Sequence, residues 1–183
     1  MVTMTMTAIV VMSLVGPIVR GADGHADAAP TVAMRRVRAV SDSARMLLDT
    51  AVARSPTIAH LVQQLQAARV FVFLDTRVDP AVPTGQTSLL TSTAEGRYLH
   101  VVLNPALGIN RRIELLGHEL QHALEFADAD DVHDSDSVRR HFTEIGRALG
   151  VPNGREASFE TEAAREVEQQ VRRDLAMRIR DAI

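Results

Sequence analysis

His118 and His122 stand four residues apart in Glu114-Leu115-Leu116-Gly117-His118-Glu119-Leu120-Gln121-His122-Ala123-Leu124-Glu125, and Glu119 directly follows the first of them. On a helix, residues four apart share a face, so both imidazoles can reach one tetrahedral metal ion. Glu119 is turned by about 100° around the axis, off the ligand face. From there it can take the proton of a water whose pKa zinc has lowered to about 7, and later pass that proton to a leaving amine. The rest of the composition narrows the chemistry. The chain has no Cys, which excludes thiolate zinc sites, iron–sulfur clusters, thiol nucleophiles and disulfides. Every basic residue is Arg and none is Lys, which removes Schiff-base and P-loop lysine chemistry.

Two His need a third protein ligand, and here it must be His, Asp or Glu. Three regions compete. Asp128 follows His122 by six residues, but Leu124-Glu125-Phe126 continues the helical pattern where a sharp turn would be required. The Asp-rich run 128–136, which includes His133, reads as a solvated loop that caps the next helix. The last helical stretch, about Ala157 to Ala182, is the better source. Its apolar stripe is Phe159, Ala163, Val167, Val171, Leu175 and Ile179. Glu160 has Ala163, Ala164 and Val167 at i+3, i+4 and i+7 and belongs to the inward face, whereas Glu162, beside Arg165, Glu166 and Gln169, faces solvent. An inward carboxylate must be paired, protonated or bound to metal. Glu160 is the expected third ligand, and Glu156, one turn earlier, is second choice.

These groups need a scaffold. From Arg35 onward, Val37, Val40, Ala44, Leu47, Leu48, Ala51 and Val52 recur at helical spacing, which predicts a first amphipathic helix. Ser55 can cap and Pro56 suits a first turn, so a second helix runs from Pro56 to about Ala67. Arg69 to Asp75 is rich in β-branched and aromatic residues and reads as a buried strand. Thr87–Thr93 and Tyr98–Leu103, joined by Ala94-Glu95-Gly96-Arg97, read as a hairpin. The remainder is helical: about Asn110 to Ala127, Ser135 to Leu149, and the last stretch. The fold class is α+β, with a small, mainly antiparallel sheet of three strands packed on the metal-binding helix and its neighbours.

His118-Glu119-Leu120-Gln121-His122 is the His-Glu-x-x-His signature of zinc-dependent proteases. With Glu160-Thr161-Glu162-Ala163-Ala164 downstream, the chain resembles the gluzincin-type zinc metalloproteases over Glu114 to Ala164. The resemblance implies a minimal zincin domain, a zinc ion (Zn2+) on His118, His122 and Glu160, Glu119 as the catalytic base, and a peptide or protein substrate. It also makes Tyr98–Leu103 the sheet edge on which an extended peptide pairs. Ala164 departs from the pattern, since related families often carry Asp or Asn there to orient a His ligand; Glu125 or Asp128 could substitute. A donor for the tetrahedral oxyanion is also needed. Tyr98, His141 and several Arg are available, and spacing selects none of them. His25, His60 and His100 receive no role.

At 183 residues, 46% hydrophobic and 23% charged, the chain has the balance of one globular domain, expected over 35–183. Its net charge of −3 disfavours nucleic acid as a partner. The apolar stretch Ala8–Val19 is short for a membrane span but fits the core of an export signal. Ala26-Asp27-Ala28 has the small-x-small pattern of a cleavage site. Residues 1–28 therefore read as a signal peptide or anchor and 29–34 as a linker, with a secreted or periplasmic location; no other membrane contact is expected. The competing function class is a non-catalytic zinc-binding or helical interaction domain that keeps the same helix.

Overall fold

A computed structural model describes residues 36–80, 82, 84–149 and 158–180, all within one compact unit, Met34–Ile183. The proposed signal and linker, residues 1–34, lie outside the described residues, as does Glu156. The elements in chain order are β1 (Val37–Ala39), α1 (Asp42–Arg54), α2 (Pro56–Ala67), β2 (Val70–Thr76), β3 (Gly85–Thr93) and β4 (Gly96–Leu103). They are followed by α3 (Ile109–Asp128), α4 (Ser135–Ile145), β5 (Gly146–Ala148), β6 (Phe159–Thr161) and α5 (Glu162–Arg180). The class is α+β, but the main sheet has four strands rather than three and is mixed. Its order is β1-β2-β4-β3, with β1–β2 and β2–β4 parallel and only β3–β4 antiparallel.

The fourth strand comes from the segment read as the start of the first helix. Val37 pairs with Val72 and is buried, and Ser41 ends the extended run by accepting the Ala44 N–H as the N-cap of α1. Val40, which would have joined a helical stripe, is exposed; Ala44, Leu47 and Ala51 carry the buried face. The second correction concerns the sheet edge. β4 lies between β2 and β3, so Tyr98–Leu103 is an interior strand, and the edge strand of the hairpin is β3. The third is at the chain's end. The segment read as continuous helix from Ser135 to Leu149 turns at Gly146 into β5, which pairs antiparallel with β6, so Glu160 lies on a strand and not on a helix. Thr161, buried at the end of β6, accepts the Ala164 N–H through its side chain and starts α5. Ala164, not Ala163, is consequently the buried alanine of that helix.

The core sits between one sheet face and the helices. Val70, Val72 and Leu74 of β2 and Leu99, Val101 and Leu103 of β4 alternate inward against α1, α2 and α3. On the other face Phe71 stacks on Tyr98 at 4.7 Å, with Arg36 over the Phe71 ring at 4.2 Å. Helix α3 is the hub, packed against the sheet, α1, α2 and α5. A Cβ on Gly117 would lie 2.7 Å from Val171 Cγ2, so α5 packs tightly on α3 at the residue directly before His118. Among the described residues no helix is long and apolar enough to cross a membrane.

Candidate functional site

Helix α3 presents His118, Glu119 and His122 to a cleft of about 560 Å³, which is closed on one side by β3 and on the other by α4 and the β5–β6 ribbon. The two imidazoles meet through the same nitrogen, within hydrogen-bond distance of each other. His118 Nε2 and His122 Nε2 are 3.1 Å apart, with the rings nearly perpendicular. Glu160 reaches the same place from β6, its Oε1 4.0 Å from His118 Nε2. The strand thus delivers the carboxylate that helical periodicity had assigned to an inward helix face. Among the described residues no three His, Asp or Glu side chains stand together at the spacing of a closed metal site. The two imidazoles are in contact, and Glu160 stands beside His118.

Each imidazole faces a carboxylate on its other nitrogen. His122 Nδ1 is 2.7 Å from Glu125 Oε2, and Glu125 Oε1 accepts from Thr161 Oγ1 at 2.6 Å. The chain Thr161–Glu125–His122 thereby ties the β6–α5 junction to α3, and Glu125 is the one of the two suggested substitutes that orients a His. Asp128 and His133 line a separate, smaller hollow. His118 Nδ1 lies 3.4 Å from Glu168 Oε2 of α5, a contact that periodicity did not single out. Burial pulls the His122 pKa down, but the Glu125 hydrogen bond and the charges of Glu119, Glu125 and Glu160 more than offset it and leave it raised. The site's field favours positive charge.

Comparison with protein-family models, with curated proteins and with solved structures finds no match. The site must be read from its own geometry.

Glu119 reaches β3. It is buried, and its Oε2 accepts the Thr87 hydroxyl at 2.8 Å. The strand can come this close because residue 85 has no side chain: a Cβ on Gly85 would lie 3.0 Å from Glu119 Oε1 and 2.7 Å from Leu103 Cδ2. Of the groups considered for an oxyanion, Tyr98 is on the far face of the sheet, and neither it nor His141 lines the cleft. Arg111 and Arg139 do line it. Arg139 pairs with Asp136 at 2.7 Å on the surface, and Arg111 is held by Glu114 and Glu168. The wall beyond His122 is apolar, with Phe126, Phe142 and Phe159 in mutual ring contact through Phe142.

Proposed function

We propose that this chain is a zinc-dependent metallopeptidase, a hydrolase of peptide bonds, with His118, His122 and Glu160 as zinc ligands and Glu119 as general base. The observation that carries the reading is the 3.1 Å approach of the two Nε2 atoms in a cleft that also receives Glu119 and Glu160. Zinc–nitrogen bonds of about 2.0–2.1 Å at tetrahedral angles put two ligand atoms about 3.4 Å apart, so the imidazole pair needs little movement. Glu160 Oε1, 4.0 Å from His118 Nε2, has to move closer to both imidazoles, which a side-chain rotation at a partly exposed position can supply. Zinc held there supplies a Lewis acid and lowers the pKa of a water to about 7.

The chain's own residues account for the rest of the reaction. Thr87 holds Oε2 of Glu119, leaving Oε1 to take the proton of the attacking water and return it to the leaving amine. Glu125 fixes the orientation of His122. The edge strand β3 borders the cleft from Gly85 to Leu89 and is paired on one side only within its sheet, so its outer backbone groups suit an extended peptide laid alongside. A secreted or periplasmic location goes with this reading through the signal-like residues 1–28.

Metal analysis of the purified chain beside Glu160→Ala tests the assignment. Stoichiometric zinc in the wild type and its loss in the variant are expected. Unchanged zinc in Glu160→Ala removes Glu160 from the ligand set, and a wild type without zinc removes the metal reading. Zinc with no hydrolysis of any peptide would leave the non-catalytic zinc-binding domain.

A further inference from the structure

We infer that Glu168 is the positioning residue for His118, an assignment whose functional consequence rests on the zinc reading above but whose geometry does not. A neutral imidazole that offers Nε2 to a cleft carries its proton on Nδ1, and an acceptor for that proton fixes both tautomer and ring orientation. His122 has such an acceptor in Glu125. His118 Nδ1 is buried and makes no hydrogen bond, and the carboxylate facing it is Glu168, with Oε2 at 3.4 Å. A small rotation of either side chain turns this contact into a hydrogen bond. The other oxygen, Oε1, is held by Arg111 and by Arg172, the latter at 3.1 Å. Both guanidiniums also reach Glu114 Oε2 at 3.1 Å, so the carboxylate of Glu168 is pinned with Oε2 turned toward the ring.

The helix crossing explains why residue 168 does this. Ala164, four residues past Glu160, is fully buried and carries no polar group. Helix α5 packs tightly against α3 at Gly117, where a Cβ would lie 2.7 Å from Val171 and 3.4 Å from Val167. Residue 168 adjoins Val167 and is one turn from Val171, which puts it on the flank of the crossing beside the residue that follows Gly117, namely His118. A different crossing point would bring a different residue to the ring.

The experiment uses the full chain in two measurements. Zinc titration should show affinity falling by about 10–100-fold in Glu168→Ala. Arg172→Ala, which removes one grip on the same carboxylate while Arg111 keeps the other, should bind zinc nearly as the wild type does. Equal losses in the two variants would reduce Glu168 to an ion-pair residue and overturn the inference. Glu168→Gln, isosteric and still able to accept through its carbonyl oxygen, should recover part of the affinity and guards against a folding defect in the alanine variant. In the second measurement, nitrogen-15 ring shifts of His118 are recorded on the zinc-free full chain in a His122→Ala background, because in the metal-free chain the two Nε2 atoms otherwise hydrogen-bond to each other at 3.1 Å. The Nδ1–H tautomer should dominate with Glu168 present and give way to Nε2–H when Glu168→Ala is added. An unchanged tautomer overturns the inference. A wild type that binds no zinc, together with this tautomer change in the His122→Ala background, would sink the peptidase reading and leave the positioning role standing.

Discussion

Glu119 is separated from the two imidazoles by its angular offset on one helix, and that offset gives it a distinct partner, the Thr87 hydroxyl at 2.8 Å. Glu119→Gln keeps the shape and the Thr87 contact while removing the proposed base. Peptide hydrolysis should fall by about 10²–10⁴-fold with zinc content unchanged, measured by turnover and metal analysis on the same preparation. Gly85→Ala attacks the same group from the strand. The added methyl meets Leu103 and Glu119 Oε1, and fully buried Leu103 has little room to yield. A loss of about 1–3 kcal/mol in urea unfolding is expected, with turnover lowered further than stability explains. At this scale His118, Glu119 and His122 were legible because one helix sets all three by fixed spacing. Glu160 was singled out by a helical periodicity that the structure does not have at that position, since it lies on β6. Its carboxylate arrives on β6 because Gly146 ends α4 and lets the chain pair back on itself.

Between elements, the decisive contact is α3 against α5. Gly117→Ala puts a methyl 2.7 Å from the stiff side chain of buried Val171. It should cost about 1–3 kcal/mol and also weaken zinc binding, because the shift displaces His118; thermal unfolding with and without zinc separates the two effects. A second link joins α5 to the start of α2. Asp174, almost fully buried, accepts from Ser55 Oγ at 2.6 Å and Thr57 N at 3.1 Å on Oδ2, and from Gln170 at 3.1 Å on Oδ1. Burial alone would raise its pKa, but the hydrogen bonds from Ser55 and Thr57 dominate and lower it. A carboxyl whose pKa is lowered by folding stabilises the fold above its unfolded value of about 3.9, and that stability disappears as pH falls through the folded value. Asp174→Ala should therefore lose about 1.5–3 kcal/mol near neutral pH and show a flatter loss of stability on acidification, measured by urea unfolding across that range. The elements themselves were largely readable. Ser55-Pro56 marked the start of α2, and the alternating runs marked the β3–β4 hairpin. β1 and β6 were not readable, because three-residue strands are too short for their own periodicity to outweigh the helical pattern beside them.

For the whole molecule, a zinc ion on His118, His122 and Glu160 would join α3 to the β6–α5 junction, and no disulfide is available to do so. Free zinc at about 100 times its dissociation constant should stabilise the fold by about 2.7 kcal/mol, so chelation should lower the melting temperature and re-addition should restore it. A melting temperature indifferent to chelation would contradict the site.

The sequence by itself limited the chemistry that is available. Without Cys or Lys, any metal site had to be imidazole and carboxylate, and a helix with His at i and i+4 sets their common face by local geometry alone. It also determined the α+β class, since the periods of the longer elements are local properties. Only the tertiary structure decided which strand forms the edge of the cleft, that Glu160 comes from a ribbon, and that Glu125 and Glu168 face the second nitrogens of the imidazoles. Each of these depends on contacts between segments distant in the chain: β4 between β2 and β3, β5 against β6, and α5 crossing α3 at Gly117. Spacing along one segment carries no information about where another segment crosses it.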